Sequence, residues 1–360
     1  MIDGHNDLAW AMRQLCNYDL DRYDLGGSVP ELHTDIPRLR AGGVTGQFWS
    51  VYVPSTMTDG EAVRATLEQV DFIRRLVARY PDDLALATTV DEVAQARREG
   101  RIASLMGMEG GHSIGGSLAV LRVMYHLGVR YMTLTHNDNV AWADSATDVP
   151  VLGGLSTFGE EVVGEMNRLG MLVDLSHVST DVMRQALAVT SRPVIFSHSS
   201  ARAVCDVPRN VPDDVLRDLA RNGGVCMVTF VPDFVSPAVA EWIEETRQLM
   251  AADGFDAGNS KELDRRLLLR AAAGGAPVAT IDDVADHMDH VREVAGIDHV
   301  GVGGDYDGTA WMPSGLDDVS GYQRLFAVLA ERHWSPDDLD RLSQANVVRA
   351  LGDAEVGRRS

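Results

Sequence analysis

The stretch MLVDLSHVSTDVMRQALAVTSRPVIFSH, Met171–His198, holds two short apolar runs that each end in a histidine, with a longer segment joining them. Runs rich in Val, Ile, Met and aromatic residues alternate with longer helical patterns along the whole chain, which is the βαβ rhythm of a parallel sheet. Toward the N-terminus the same kind of run recurs as MIDGHND at the start, GQFWSVYV from Gly46, ASLMGMEG from Ala103 and VRYMTLTHND from Val129. Toward the C-terminus come GVCMVTFV from Gly224 and HVGVGGDYD from His299, which brings the expected strands to eight. Amphipathic stretches lie between them. GEAVRATLEQVDFIRRLVARY from Gly60 and SPDDLDRLSQANVVRALG from Ser335 space their apolar residues by three and four, and the second opens on a Ser cap followed by Pro. Eight strands with intervening helices predict an α/β protein of the (β/α)8 TIM-barrel type rather than an open doubly wound sheet. No linker divides the chain, so residues 1–360 read as one domain. The segment 232–280 is too long for an ordinary connection, and its charged helical pattern predicts an elaborated helical insertion before the last strand, as a lid or as packing.

Composition bounds what such a barrel can meet. Of 360 residues, 53 are Asp or Glu and 32 are Lys or Arg, a net charge of −21 that repels phosphate backbones and anionic headgroups. Nucleic acid and membrane surfaces are therefore not expected partners; small molecules and cations are. Cys16, Cys205 and Cys226 are scattered and form no C-x-x-C pair, as expected for buried thiols in a reducing compartment. A strand-like run begins at Ile2, the C-terminal GDAEVGRRS is polar, and no run of 18 apolar residues occurs. A soluble, cytoplasmic protein is expected.

Chemistry collects where the expected strands end. The first run ends in His5 and Asp7, the third in Glu109, the fourth in His136, the fifth in His177, the sixth in His198 and the eighth in Asp305. Parallel strands of a barrel put these ends on one face. His5 and Asp7 are two apart, so a strand points both side chains the same way, toward a shared ion. Four histidines and three carboxylates on one rim cost free energy unless a cation neutralises the acids. Imidazole with carboxylate suits Zn²⁺ or a similar transition ion, and a carboxylate between two ions bridges them at roughly 3.5–4 Å. Barrels of this type often bridge their metals with a carbamylated lysine. The only lysine here, Lys261, lies in the polar helical stretch NSKELDRR, so a glutamate must bridge, and Glu109 is the candidate. His287 and His290, three apart on an acidic helical stretch, read as ordinary surface residues, and His33, His112, His126, His299 and His333 as structural or surface ones. GVGGDYDG lacks the G-x-G-x-x-G and Walker patterns, and no G-x-S-x-G surrounds Ser197 or Ser199.

DGHNDLAW, GMEGGHSIGG, YMTLTHNDNVAWADS, VDLSHVS, PVIFSHSSARAVC, PRNVPDDVL and HVGVGGDYDG run in order over nearly the whole chain. With these pieces the sequence resembles the membrane (renal) dipeptidase family of binuclear zinc peptidases, within the amidohydrolase-type barrels. The resemblance implies two Zn²⁺ per chain, with other divalent transition metals as substitutes. His5 and Asp7 would hold one ion, His177 and His198 the other, and Glu109 would bridge them. It further implies that His136 contacts substrate and donates to the developing oxyanion, that Arg209 binds the substrate carboxylate, and that Asp305 is the catalytic acid/base. The implied reaction is hydrolysis of a dipeptide to free amino acids by a metal-bridging hydroxide. Tolerance of a C-terminal D-residue and a homodimeric assembly are family traits. A related metallohydrolase of another small N-acyl amino acid would present the same rim. A metal-dependent sugar isomerase and a non-catalytic metal-binding barrel are the more distant alternatives.

Overall fold

Strands form where β-branched and aromatic residues are buried on both faces, as parallel strands covered by helices require. They are β1 (Ile2–Asn6), β2 (Gly46–Tyr52), β3 (Leu84–Leu86), β4 (Ile102–Glu109), β5 (Val129–Thr133), β6 (Leu172–Asp174), β7 (Val194–Phe196), β8 (Val225–Val228) and β9 (Val300–Val302). This computed structural model describes residues 1–57, 59–255 and 260–355; the side chains of Asp59, Ser260, Lys261 and Asp264 lie outside the described set. All pairings are parallel, and the path β1-β2-β4-β5-β6-β7-β8-β9 follows chain order apart from β3. The eight strands of the path form a (β/α)8 barrel.

Two features differ from expectation. β3 is a ninth strand: it pairs with Ile102–Ser104 at the start of β4, while Met106–Glu109 of the same strand pairs with β5. Three residues are too few to display a period, which is why it escapes a reading of apolar runs. Four strands also stop two or three residues short of His136, His177, His198 and Asp305. His177 (φ 67°) and Asp305 (φ 60°) occupy the left-handed region, which takes the chain out of the ladder and turns these side chains over the rim.

The barrel closes between its first and last strands. Asn6 bridges Tyr306, the Asp7 amide donates to the Tyr306 carbonyl (2.9 Å), and the Asp305 amide donates to the His5 carbonyl (3.2 Å). Inside, Ile2, Phe48, Leu105, Tyr131, Ile195 and Met227 belong to one core cluster beneath the rim. A larger cluster fills the space between strands and helices. Each such side chain contributes roughly 1.5–3 kcal/mol by leaving water. Gly107 is required in this interior, because a Cβ there would fall on the Tyr131 ring.

The segment from Pro232 carries helices Pro232–Val235, Pro237–Ala252 and Ser260–Ala272, ahead of helix Ile281–Ala295 and β9. Lys261 belongs to the third of these, with its side chain outside the described set. Cys16, Cys205 and Cys226 are buried and unpaired. No helix among the described residues is long and apolar enough to cross a membrane.

Candidate metal centre and active site

The rim residues converge on Glu109, the last residue of β4. Its Oε2 lies 3.3 Å from His5 Nε2, and its Oε1 lies 3.1 Å from His177 Nε2 and 3.6 Å from both His198 Nε2 and His136 Nε2. The two carboxylate oxygens thus face two different groups of donors. On the first side, His5 Nε2 lies 3.3 Å from Asp7 Oδ2 and 3.9 Å from Asp305 Oδ1. On the second, the Nε2 atoms of His177 and His198 are 2.9 Å apart. Three overlapping sets of donor atoms could hold a cation: His5, Glu109 and His198; Glu109, His136 and His177; and His5, Asp7 and Asp305.

The surrounding hydrogen bonds aim the donors. Tyr131 on β5 gives its hydroxyl proton to the Gly4 carbonyl (3.1 Å), so the contact to His5 Nδ1 (2.8 Å) requires His5 to donate from that nitrogen. Ser197 donates to Asp174 Oδ2 (2.6 Å) and accordingly accepts from His198 Nδ1 (2.8 Å). In the neutral rings both Nε2 atoms are then bare lone pairs pointing at the carboxylates, the tautomer a metal ligand needs. His5 Nε2 and Asp7 Oδ1 are buried without any hydrogen-bond partner. Burial opposes charge at His5, yet Tyr131, Glu109 and Asp7 outweigh it and hold its pKa well above the ordinary value. Burial likewise pushes the Asp305 carboxyl well up, with Asp7 and Glu109 adding to it. The cluster calls for positive charge, and its donor set fits divalent transition ions. Gly308 allows this crowding: a Cβ there would collide with the carboxylates of Asp7 and Asp305.

A cavity of about 630 Å³ opens above the cluster, with Asp7, Glu109, His136, His177, Arg209 and Asp305 in its lining. Arg209 is buried, its guanidinium 5.1 Å from the Phe234 ring centre, and it makes only long contacts to Ser199 Oγ (3.5 Å) and the His198 carbonyl (3.4 Å). Its Nε has no partner, and no carboxylate pairs with it among the described residues. Burial lowers its pKa to about 10, which leaves it charged. A buried cation without a counter-ion is costly unless an anion is supplied from outside. Burial lowers the His136 pKa to about 3, so that ring is neutral.

The whole chain, residues 1–360, matches the family described as membrane dipeptidase (peptidase family M19). The chain belongs to this family. Mouse dipeptidase 3 is 40% identical over 363 aligned residues, which cover 99% of this chain and 65% of that relative; the chain thus spans somewhat less than two thirds of its length. Among solved structures, the probable dipeptidase PvdM from Pseudomonas aeruginosa superposes with a TM-score of 0.82 at 24% identity, covering 91% of this chain and 90% of the other. A metallo peptidase from Rhodobacter sphaeroides, liganded with a phosphinate mimic of the dipeptide L-Ala-D-Ala, gives 0.80 at 21% identity and covers 98% of both. These two structures share the fold.

Every rim residue expected from the sequence of this family member reaches the cluster, and Arg209 reaches the cavity above it. None of the histidines set aside supplies a donor atom to the cluster, and His287, expected at the surface, is instead fully buried because its ring is engaged by backbone groups on both nitrogens. His287 accepts from the Ala201 amide and meets the Val235 carbonyl, His290 pairs with Asp213, and His299 meets the Gly224 carbonyl. Sequence reasoning missed the supporting residues. Ser50 on β2 donates to Glu109 Oε2 (3.0 Å), and the ring of Tyr52, two residues on, packs tilted against His136 with ring centres 4.8 Å apart. The signal was a lone serine inside the apolar run GQFWSVYV. Asp174 was missed too, although an acid inside LVDL is as anomalous. Its carboxylate accepts from Thr133, Ser197 and the Ser176 and Ser197 amides, so it anchors the serine that orients His198. Asp174→Asn is expected to weaken metal affinity about 10- to 100-fold, measured by competition with a chromogenic chelator. Unchanged affinity would reduce Asp174 to a structural acid.

Proposed function

We propose that the protein is a binuclear metallodipeptidase, holding two Zn²⁺ and hydrolysing dipeptides to free amino acids. His5 and Asp7 would hold one ion and His177 and His198 the other, with Glu109, whose two carboxylate oxygens face both groups of donors, shared between them. The observation that carries the reading is the pairing of this cation-requiring cluster with Arg209, buried and in contact with no carboxylate, in one cavity. Bound ions of this kind lower the pKa of a coordinated water toward ~7 and polarise a carbonyl oxygen. The side chains divide the remaining work. Arg209 presents a planar fork to the free C-terminal carboxylate and so sets the distance from that carboxylate to the scissile bond. Asp305 accepts the proton of the attacking water and returns it to the leaving nitrogen, so the C–N bond breaks as the amine gains its hydrogen. His136, neutral, donates a hydrogen bond where the carbonyl oxygen becomes negative. That the Rhodobacter protein takes a phosphinate dipeptide mimic supports a tetrahedral transition state at this kind of site.

The test is a screen of L,L and L,D dipeptides with the zinc-replete protein, read as free amino acid release, beside the same dipeptides amidated at the C-terminus. Free dipeptides should turn over, amidated ones should lose at least about tenfold in kcat/KM, and Arg209→Met should erase that difference. Equal cleavage of both forms by the wild type would remove Arg209 from substrate binding, and no turnover of any dipeptide would overturn the activity.

A further inference from the structure

A second chamber of about 440 Å³ adjoins the active cavity. Asp233, Arg247, Leu263 and Thr309 line both spaces and form the passage between them. Beyond that polar mouth the walls are apolar: Ile243 and Leu267 from the inserted helices, and Trp311 from the loop after β9. The chamber has a frame of its own. Met250, Leu263 and Leu267 form a small separate core with Trp242, Ile243 and Trp311 packed against it. Trp242 and Trp311 lie 6.1 Å apart and tie the insertion to the loop that follows Asp305. Arg270 stacks 5.1 Å from the Trp242 ring and holds that side of the wall in place. The hollow is open to solvent past the exposed Leu268, so its apolar walls face water, and an apolar group that covers them gains by removing that surface from water.

Its position identifies the entrant. Asp233 precedes Phe234, whose ring lies under Arg209, and Thr309 follows Gly308, which lies against Asp305. The passage therefore opens between the group that holds the substrate carboxylate and the group that protonates the leaving nitrogen. In a dipeptide, the Cα of the C-terminal residue lies between those two points. We propose that the second chamber receives the side chain of the C-terminal residue, and that the substrates are dipeptides ending in a large apolar residue. This rests on the dipeptidase reading above and names the substrate class of that site. The insertion thereby acts as a specificity wall.

The experiment compares kcat/KM for Ala-Ala, Ala-Leu and Ala-Phe with that for Leu-Ala and Phe-Ala, with both configurations at the C-terminal position, using the zinc-loaded protein. Ala-Leu and Ala-Phe should exceed Ala-Ala by about tenfold or more, and enlarging the N-terminal residue should bring no such gain. Two variants narrow the chamber: Leu267→Trp in its wall, and Leu268→Trp at a lining position that is 58% exposed, where a larger side chain displaces no core packing. In each, the Ala-Leu to Ala-Ala ratio should fall toward one, with thermal melts confirming that the variants fold. A wild-type ratio near one, a preference that follows the N-terminal residue, or a ratio unmoved in the folded Leu268→Trp protein would each overturn the chamber's role. Those outcomes leave the dipeptidase reading standing; failure to cleave any dipeptide would overturn both.

Discussion

Asp305→Asn is expected to lower kcat by ~10²–10⁴ while the metal content and the melting temperature stay near wild type. The substitution preserves shape, and Asn adopts the left-handed backbone at this position (φ 60°) more readily than most residues. What it removes is the ability to take up and release a proton. The carboxylate is placed for that task, 3.9 Å from His5 Nε2 and at the edge of the cavity, where its side chain keeps 13% of its exposure. Without a cation, burial and the neighbouring Asp7 and Glu109 raise its proton affinity, and cations bound at the cluster would act in the opposite direction. Metal analysis beside the rate decides between two roles. Loss of an ion from the variant would make Asp305 a ligand, and wild-type turnover would remove it from the reaction.

Glu109→Gln is expected to have the larger effect on binding, because one side chain faces both donor groups. The amide keeps the contact with Ser50 yet removes the negative charge between four imidazoles. Breaking a buried charge arrangement from one side costs about 3–5 kcal/mol, which corresponds to roughly 10²–10⁴-fold in metal affinity. Isothermal titration with Zn²⁺ should show weakening at both sites together. Weakening at one site alone would mean that Glu109 serves a single ion, and wild-type affinity at both would remove it from the centre.

The barrel and the rim cluster were legible for one physical reason. Parallel strands buried on both faces read as apolar runs, and a polar residue at the end of such a run stands out, as His198 does after PVIF. Side chains that hold the ligands in place carry a weaker mark, because Ser50, Tyr131 and Asp174 sit inside the runs and look like tolerated exceptions. Arg209 required the motif PRNVPDDVL, since an arginine in a loop has no period to betray its burial. The chamber walls left no trace at all: Ile243, Leu267 and Trp311 come from separate elements, and their proximity is a property of packing alone. β3 shows the lower limit of the method, three residues whose only distinction is the edge of β4 they pair with.

The closing seam has a consequence for the order of assembly. Asp3 and Gly304, 301 residues apart, are joined there by a hydrogen bond, beside His5 and Asp7 on one edge and Asp305 on the other. Contacts between such distant parts of a chain carry the largest loop-closure cost and form late. Asp305, the group proposed to move the proton, comes to lie beside His5 and Asp7 only after the first and last strands have met. Catalytic competence therefore marks the completion of folding: a chain whose seam is open lacks its acid/base however well the other rim residues are placed.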